Sequence, residues 1–172
     1  MQTVLPIFGA IEGVTAYATN KAGVNELIAR NETVHLPEVT RVAVEQKMGG
    51  GSQEMPTGLI DSMETSISKN GLGKNAMKYI LADKIEYRFV AKIQDTDGTE
   101  RNVGCKAMLT TKALTLQPST DVEVGSNIEG DITKKVLTYT LYVDGEEMIN
   151  VNKITGACKI CGEDFGVNDS LL

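Results

Sequence analysis

A mainly β fold with one short α-helix is what the sequence predicts. Apolar and polar residues alternate with a period of two along most of the chain. Turn-forming clusters separate those runs at hairpin spacing, and one stretch alone carries apolar residues at helical spacing. The chain of 172 residues has the length of a single domain, read as 1–172. Folding at that size buries roughly 70% of the unfolded surface, enough for a core without disulfides or metal.

In chain order, residues 1–33 are the least patterned and are expected to form an extended N-terminal arm. From Arg41 to Lys47, Val42 and Val44 alternate with Arg41, Ala43, Glu45 and Lys47, which reads as a strand. Met48 to Asp61 is glycine-rich and aperiodic, and is expected to be a long loop. Loops beyond roughly 12–15 residues in compact domains are usually functional or disordered. Met63, Thr65 and Ile67 against Glu64, Ser66 and Ser68 predict the next strand. After Asn70-Gly71-Leu72-Gly73, Met77, Ile80 and Leu81 sit at i, i+3 and i+4, the apolar face of a helix of about three turns.

Ile85 to Gln94 shows the clearest alternation, followed by the turn Asp95–Glu100 and a return strand through Val103, Cys105, Ala107 and Leu109, together a long hairpin. Ala113 to Thr133 holds Asp121, Glu123, Glu129 and Asp131 but no lysine or arginine, and reads as an acidic surface connection. Ile132 to Val143, Asp144-Gly145 and a strand around Met148 to Ile154 form a further hairpin.

Composition excludes several function classes. Seventeen basic against 23 acidic residues give a net charge of −6, and a pI near 4.9 argues against a nucleic-acid reader, whose affinity comes from cations neutralising phosphates. No apolar run approaches the roughly 18 residues a membrane helix needs, and the start MQTVLPIFGAIEGV lacks a basic n-region, so a soluble chain without export signal or membrane partner is expected. Three cysteines in such a chain suit a reducing compartment. In that setting the glycosylation patterns Asn31-Glu32-Thr33 and Asn168-Asp169-Ser170 carry no weight.

Catalytic equipment is thin, with one histidine, His35, and no tryptophan. No catalytic residue, cofactor site or metal site is nominated, and no enzyme is expected. Cys158-Lys159-Ile160-Cys161 has the CxxC spacing of half a zinc site, but the remaining soft ligands, Cys105 and His35, each stand alone in expected strands. Asp95-Thr96-Asp97-Gly98 departs from a calcium loop in glycine position and lacks the twelfth-position Glu. Gly73-Lys74 fails as a phosphate loop, with Ser68 and Asn75 where glycine and Ser/Thr belong.

Leu36-Pro37-Glu38-Val39-Thr40 before a charged strand, the segment GGGSQEMPTGLIDSMETSIS, a short helix, two hairpins and the late TYTLYVDGEEMINVNKIT follow one another in an order that resembles the major tail tube protein of contractile-tailed bacteriophages and phage-tail-like bacteriocins. The likeness spans roughly residues 34–172 and extends more distantly to type VI secretion tubes, which with a small CxxC metal-binding β-domain are the alternatives. The resemblance implies a β-sandwich or barrel-like tail-tube subunit with one short packed α-helix, forming hexameric rings stacked into a hollow tube around a channel for DNA or ions, assembled in the bacterial cytoplasm. Its implied partners are other copies of itself, a tail sheath, a tape-measure protein, and baseplate and terminator proteins, with DNA passing through unbound.

The resemblance also implies that the segment 48–61 reaches the neighbouring ring. Its candidate stacking residues are Met48, Gly49, Gly50, Gly51, Met55, Pro56, Leu59 and Ile60. Candidate lumen-facing residues are Glu64, Ser66, Ser68, Glu86, Arg88 and Lys92, on a wall expected to be acidic enough to repel DNA. Ordering a 14-residue loop costs on the order of 14–28 kcal/mol of backbone entropy, so growth is expected to need an existing ring as template.

Overall fold

The computed structural model describes residues 7–69, 73–117, 122–126 and 130–167. The acidic positions Asp121 and Glu129, the Asn70-Gly71-Leu72 lead into the helix and the Asn168-Asp169-Ser170 triplet lie outside the described residues. Strands β1 (Ile7–Thr19), β2 (Asn25–Arg30), β3 (Val34–His35), β4 (Arg41–Met48), β5 (Gly51–Ile60) and β6 (Met63–Lys69) precede helix α1 (Lys74–Leu81). Strands β7 (Lys84–Gln94), β8 (Glu100–Ala113), β9 (Gly130–Val143), β10 (Glu146–Asn152), β11 (Ala157–Ile160) and β12 (Glu163–Asp164) follow.

The fold is mainly β with one short helix, as expected, and its main sheet is open rather than a closed barrel. The sheet runs β12-β11-β10-β9-β8-β7-β1-β2, with β6 also on β9 and β3 on β6, while β4 and β5 pair only with each other. It forks because β9 is long enough to hold two partners along one edge. Residues 130–136 pair with β6 and 138–143 with β10. Leu137, at the fork, gives its carbonyl to the Lys153 amide beyond the end of β10.

Both expected hairpins are present. Asp144 (φ 54°) and Gly145 (φ 79°) form the two-residue turn between β9 and β10, with the left-handed pair that matches strand twist. Asp95 to Thr99 closes the β7–β8 turn through Asp95 N–H to Thr99 C=O (2.9 Å) and Gly98 N–H to Asp95 C=O (2.9 Å), the hairpin turn that the sequence favours.

Three expectations are corrected. The N-terminal arm is, over its described part, strand: β1 pairs with β7 on one side and β2 on the other. Its inward residues are the small Ala16 and Ala18, beside Ala29 of β2, in the cluster that also holds α1. Alanine gives weak alternation in a sequence but leaves room for a helix to approach the sheet. The helix has 8 residues, about two turns, and buries Ala76, Tyr79 and Ile80, leaving Met77 and Leu81 exposed. The same i, i+3, i+4 spacing is met one residue earlier, and Tyr79 decides the phase because its hydroxyl finds a partner inside. Met48 to Asp61 is not a loop but the turn and second strand of the β4–β5 hairpin.

Tyr79 belongs to a buried hydroxyl chain whose direction its far end determines. Thr65 donates its only hydroxyl proton to the His35 carbonyl (2.8 Å), so Tyr87 donates to Thr65 (3.0 Å) and Tyr79 to Tyr87 (2.5 Å). The chain ties α1, β7, β6 and β3 together. Lys134 of β9, fully buried, donates to the carbonyls of Tyr79 and Ala82 and lies over the Tyr79 ring at 5.3 Å. It thereby satisfies acceptors that the end of a short helix leaves open.

Candidate assembly surface

The β4–β5 hairpin projects from the core and is exposed along nearly its whole length. Cross-strand partners are Val44 with Met55, Gln46 with Gln53 and Met48 with Gly51, and between them Ala43 with Pro56, Glu45 with Glu54 and Lys47 with Ser52. Because directly opposed residues share a face, one face carries Val44, Gln46, Met48, Gln53 and Met55 and no charge. The other carries Glu45, Lys47 and Glu54. Pro56 sits on a strand with a free edge beside a register shift, where the absence of an N–H is tolerated.

Of the candidate stacking residues, the structure brings Met48 and Met55 together on the uncharged face and puts Gly49 and Gly50 in the turn, Gly51 opening β5. Pro56 lies on the opposite face. Leu59 is exposed near the root, whereas Ile60 packs against the main core. Val44 was missing from the sequence-derived set. Its signal was the alternation of β4, which had no recognised partner strand to define a face.

The root of the hairpin is clamped by the C-terminal segment. The Arg41 guanidinium stacks 5.7 Å from the Phe165 ring centroid. A Cβ on Gly58 would come 3.1 Å from the Gly166 carbonyl oxygen, and one on Gly166 would meet the Gly156 carbonyl and, at 2.8 Å, the Cys158 amide nitrogen. Phe165 N–H bonds to Cys158 C=O at 2.7 Å. Only glycine allows these backbones to cross so closely.

The six candidate lumen residues share the face of the main sheet turned away from the core, where Glu86 is nonetheless buried among its neighbours. Glu64, Ser66 and Ser68 of β6 are separated from Glu86, Arg88 and Lys92 of β7 by β9 and β8, about 15 Å at ordinary strand spacing. Their charges are tied up in pairs: Glu86 with Arg88 and, at 3.8 Å, Lys106, Lys92 with Glu100 at 2.6 Å, and Glu64 with Lys135. Hydrogen bonding to Glu86 and to Glu100 raises Arg88 and Lys92 respectively above their usual values. The charged residues of this face are thus held in ion pairs. Ser68 is bonded to Asp131.

The cysteine pair does not converge. Cys158 is buried on β11, where desolvation raises its thiol above the ordinary value. Cys161 is exposed and, with Gly162, occupies left-handed conformations (φ 51° and 83°) in the turn to β12. That spacing serves a hairpin turn. Cys105 is a core residue of β8 with its thiol likewise raised by burial, and His35 ends β3. Among the described residues no three His, Cys, Asp or Glu side chains gather as a metal site, and none of the helices is long and apolar enough to cross a membrane.

No curated protein matches the chain. The model of the family described as phage tail tube protein FII matches residues 14–167.

Proposed function

The chain belongs to the phage tail tube protein FII family, a structural subunit of the virion tail, and from that premise we propose that it builds the inner tube of a contractile tail or tail-like bacteriocin as stacked hexameric rings. The observation that carries this reading is the β4–β5 hairpin. A two-stranded hairpin without a core is marginal in water, yet this one holds an uncharged stripe of Val44, Met48 and Met55 in solvent. Its uncharged face docks on the adjacent ring, with Met48, Gly49, Gly50, Gly51 and Met55 at the contact and Pro56, Leu59 and Ile60 shaping the strand and root.

Within a ring, the open sheet supplies the lateral joints, because β2 and β12 end the strand path with free edges among the described residues. Neighbours that extend the sheet remove those edges, and ring closure removes them all. The face bearing Glu64, Ser66, Ser68, Glu86, Arg88 and Lys92 lines the channel. Cations already held by carboxylates neutralise phosphates poorly, so DNA slides past without being retained. Sheath, tape-measure, baseplate and terminator proteins complete the particle, assembled in the bacterial cytoplasm.

Negative-stain electron microscopy with sedimentation across a concentration series tests this reading. Rings or hollow tubes of uniform width with sixfold averages are expected. A species that stays monomeric at every concentration, even when seeded with preformed tail fragments, would refute it.

A further inference from the structure

A groove lies where the β1–β2 turn faces the end of α1, about 730 Å³ in volume, within the range of roughly 300–1,000 Å³ that binding clefts occupy. Ala18 and Ala82 form its buried floor, and Leu81 stands 77% exposed in its wall. The rim is lysine-rich. Lys78 is held by Glu26 at 2.5 Å, and Asp83 is taken by Lys112 at 3.3 Å, which leaves Lys21 and Lys84 on the rim without a carboxylate among the described residues.

The excursion between β8 and β9 has the complementary character. Leu114, Leu116, Val122 and Val124 are all exposed, and the described residues of the excursion, 114–117 and 122–126, carry the carboxylate Glu123 and no lysine or arginine. Four exposed large aliphatic side chains in one connection are more than scattered surface apolarity, and mark a contact made elsewhere.

We propose that the β8–β9 excursion of one copy seats its aliphatic side chains in the groove of a neighbouring copy, with Glu123 set against Lys21 and Lys84. The occupant is a second copy because such a copy brings both complements at once, Glu123 for Lys21 and Lys84, and aliphatic side chains that stand exposed on its own chain. The inference rests on the self-assembling reading and adds a lateral contact distinct from sheet extension and from the hairpin.

The test is a disulfide trap in a Cys161→Ser background with Ala22→Cys and Leu116→Cys, oxidised under assembly conditions and read on a non-reducing gel beside electron microscopy of the same sample. Expected is a ladder of covalent oligomers. Tubes without interchain bonds, or a bond within one chain, would overturn the docking alone, whereas monomers without bonds would overturn both it and the tube reading. Independently, Lys21→Glu with Lys84→Glu should raise the concentration needed for assembly roughly tenfold, and Glu123→Lys added to that pair should restore it. Unchanged assembly in the double variant would also overturn the docking.

Discussion

A carboxylate at position 55 of the hairpin tests the stacking contact most directly. On the uncharged face Val44, Met48 and Met55 keep 56%, 51% and 44% of their surface in water. Complete burial of such a side chain contributes about 1.5–3 kcal/mol, so half-exposed ones have about 1 kcal/mol each still to gain, or about 3 kcal/mol per hairpin. Met55→Glu removes one of these gains and forces a carboxylate to be stripped of water without a partner, which costs several kcal/mol. A loss of about 3 kcal/mol per contact is already more than a hundredfold in the equilibrium, and in the proposed ring six contacts lose it together. Met55→Glu should therefore leave the fold intact by circular dichroism and abolish pelletable tubes. Ser52→Lys, on the charged face beside Lys47 and near the Glu45–Glu54 pair, controls for mere disturbance of the hairpin and should assemble. Tubes from Met55→Glu at the wild-type concentration, or equal loss in both variants, would refute the assignment of the face.

Tyr87→Phe leaves the Tyr79 hydroxyl buried without its acceptor, which should cost about 2 kcal/mol and lower the melting temperature of the unassembled subunit by about 4–8 °C; an unchanged melt would refute the chain of donors. Gly166→Ala places a methyl against the backbone of Gly156 and Cys158, so the clamp should open and Cys158 should react with a thiol reagent much faster than in the parent, with equal rates counting against the clamp. Burial pushes the Lys134 ammonium down to about 8 from 10.5, against a weaker upward pull from Asp83. The folded state thus binds this proton less tightly than the unfolded chain, and the penalty present below pH 8 fades as pH climbs toward 10.5. Relative to Lys134→Met, the parent should gain up to about 2 kcal/mol between pH 8 and 9.5 in urea titrations, and parallel curves for the two proteins would refute it.

What the sequence revealed depended on whether a segment buries one face within its own chain. The β7–β8 and β9–β10 hairpins were legible because each has a wet and a dry side and a turn chemistry that matches, as in Asp144-Gly145. The β4–β5 hairpin was not, because alternation records burial and this element buries neither face in the single subunit. Strand β1 was hidden by alanines at Ala16 and Ala18, chosen for helix clearance over hydrophobicity. The helix phase turned on Tyr79, a residue whose hydroxyl makes it look like an outward-facing one until Tyr87 is seen to receive it. Lys134 could not be recognised as a core residue, since only the fold brings the carbonyls of Tyr79 and Ala82 to it.

That the proposed stacking segment is a preformed hairpin changes the expected origin of template-dependent growth. A loop would have to be ordered on docking, at the full backbone entropy of its residues. Here the ladder from Arg41 to Ile60 exists in the free subunit, and Arg41 on Phe165 and Gly58 against Gly166 set its direction in advance. The clamped root lowers the ordering cost of a hairpin that would be marginal by itself, and the larger barrier is then valency. A gain of about 3 kcal/mol corresponds to a dissociation constant above 1 mM, too weak for one subunit to hold another. In the proposed ring, six hairpins would engage the next ring at high effective concentration, and their contributions would multiply. On the proposed assembly, isolated subunits should stay apart while a closed ring captures its successor, because a template would present all six sites at once.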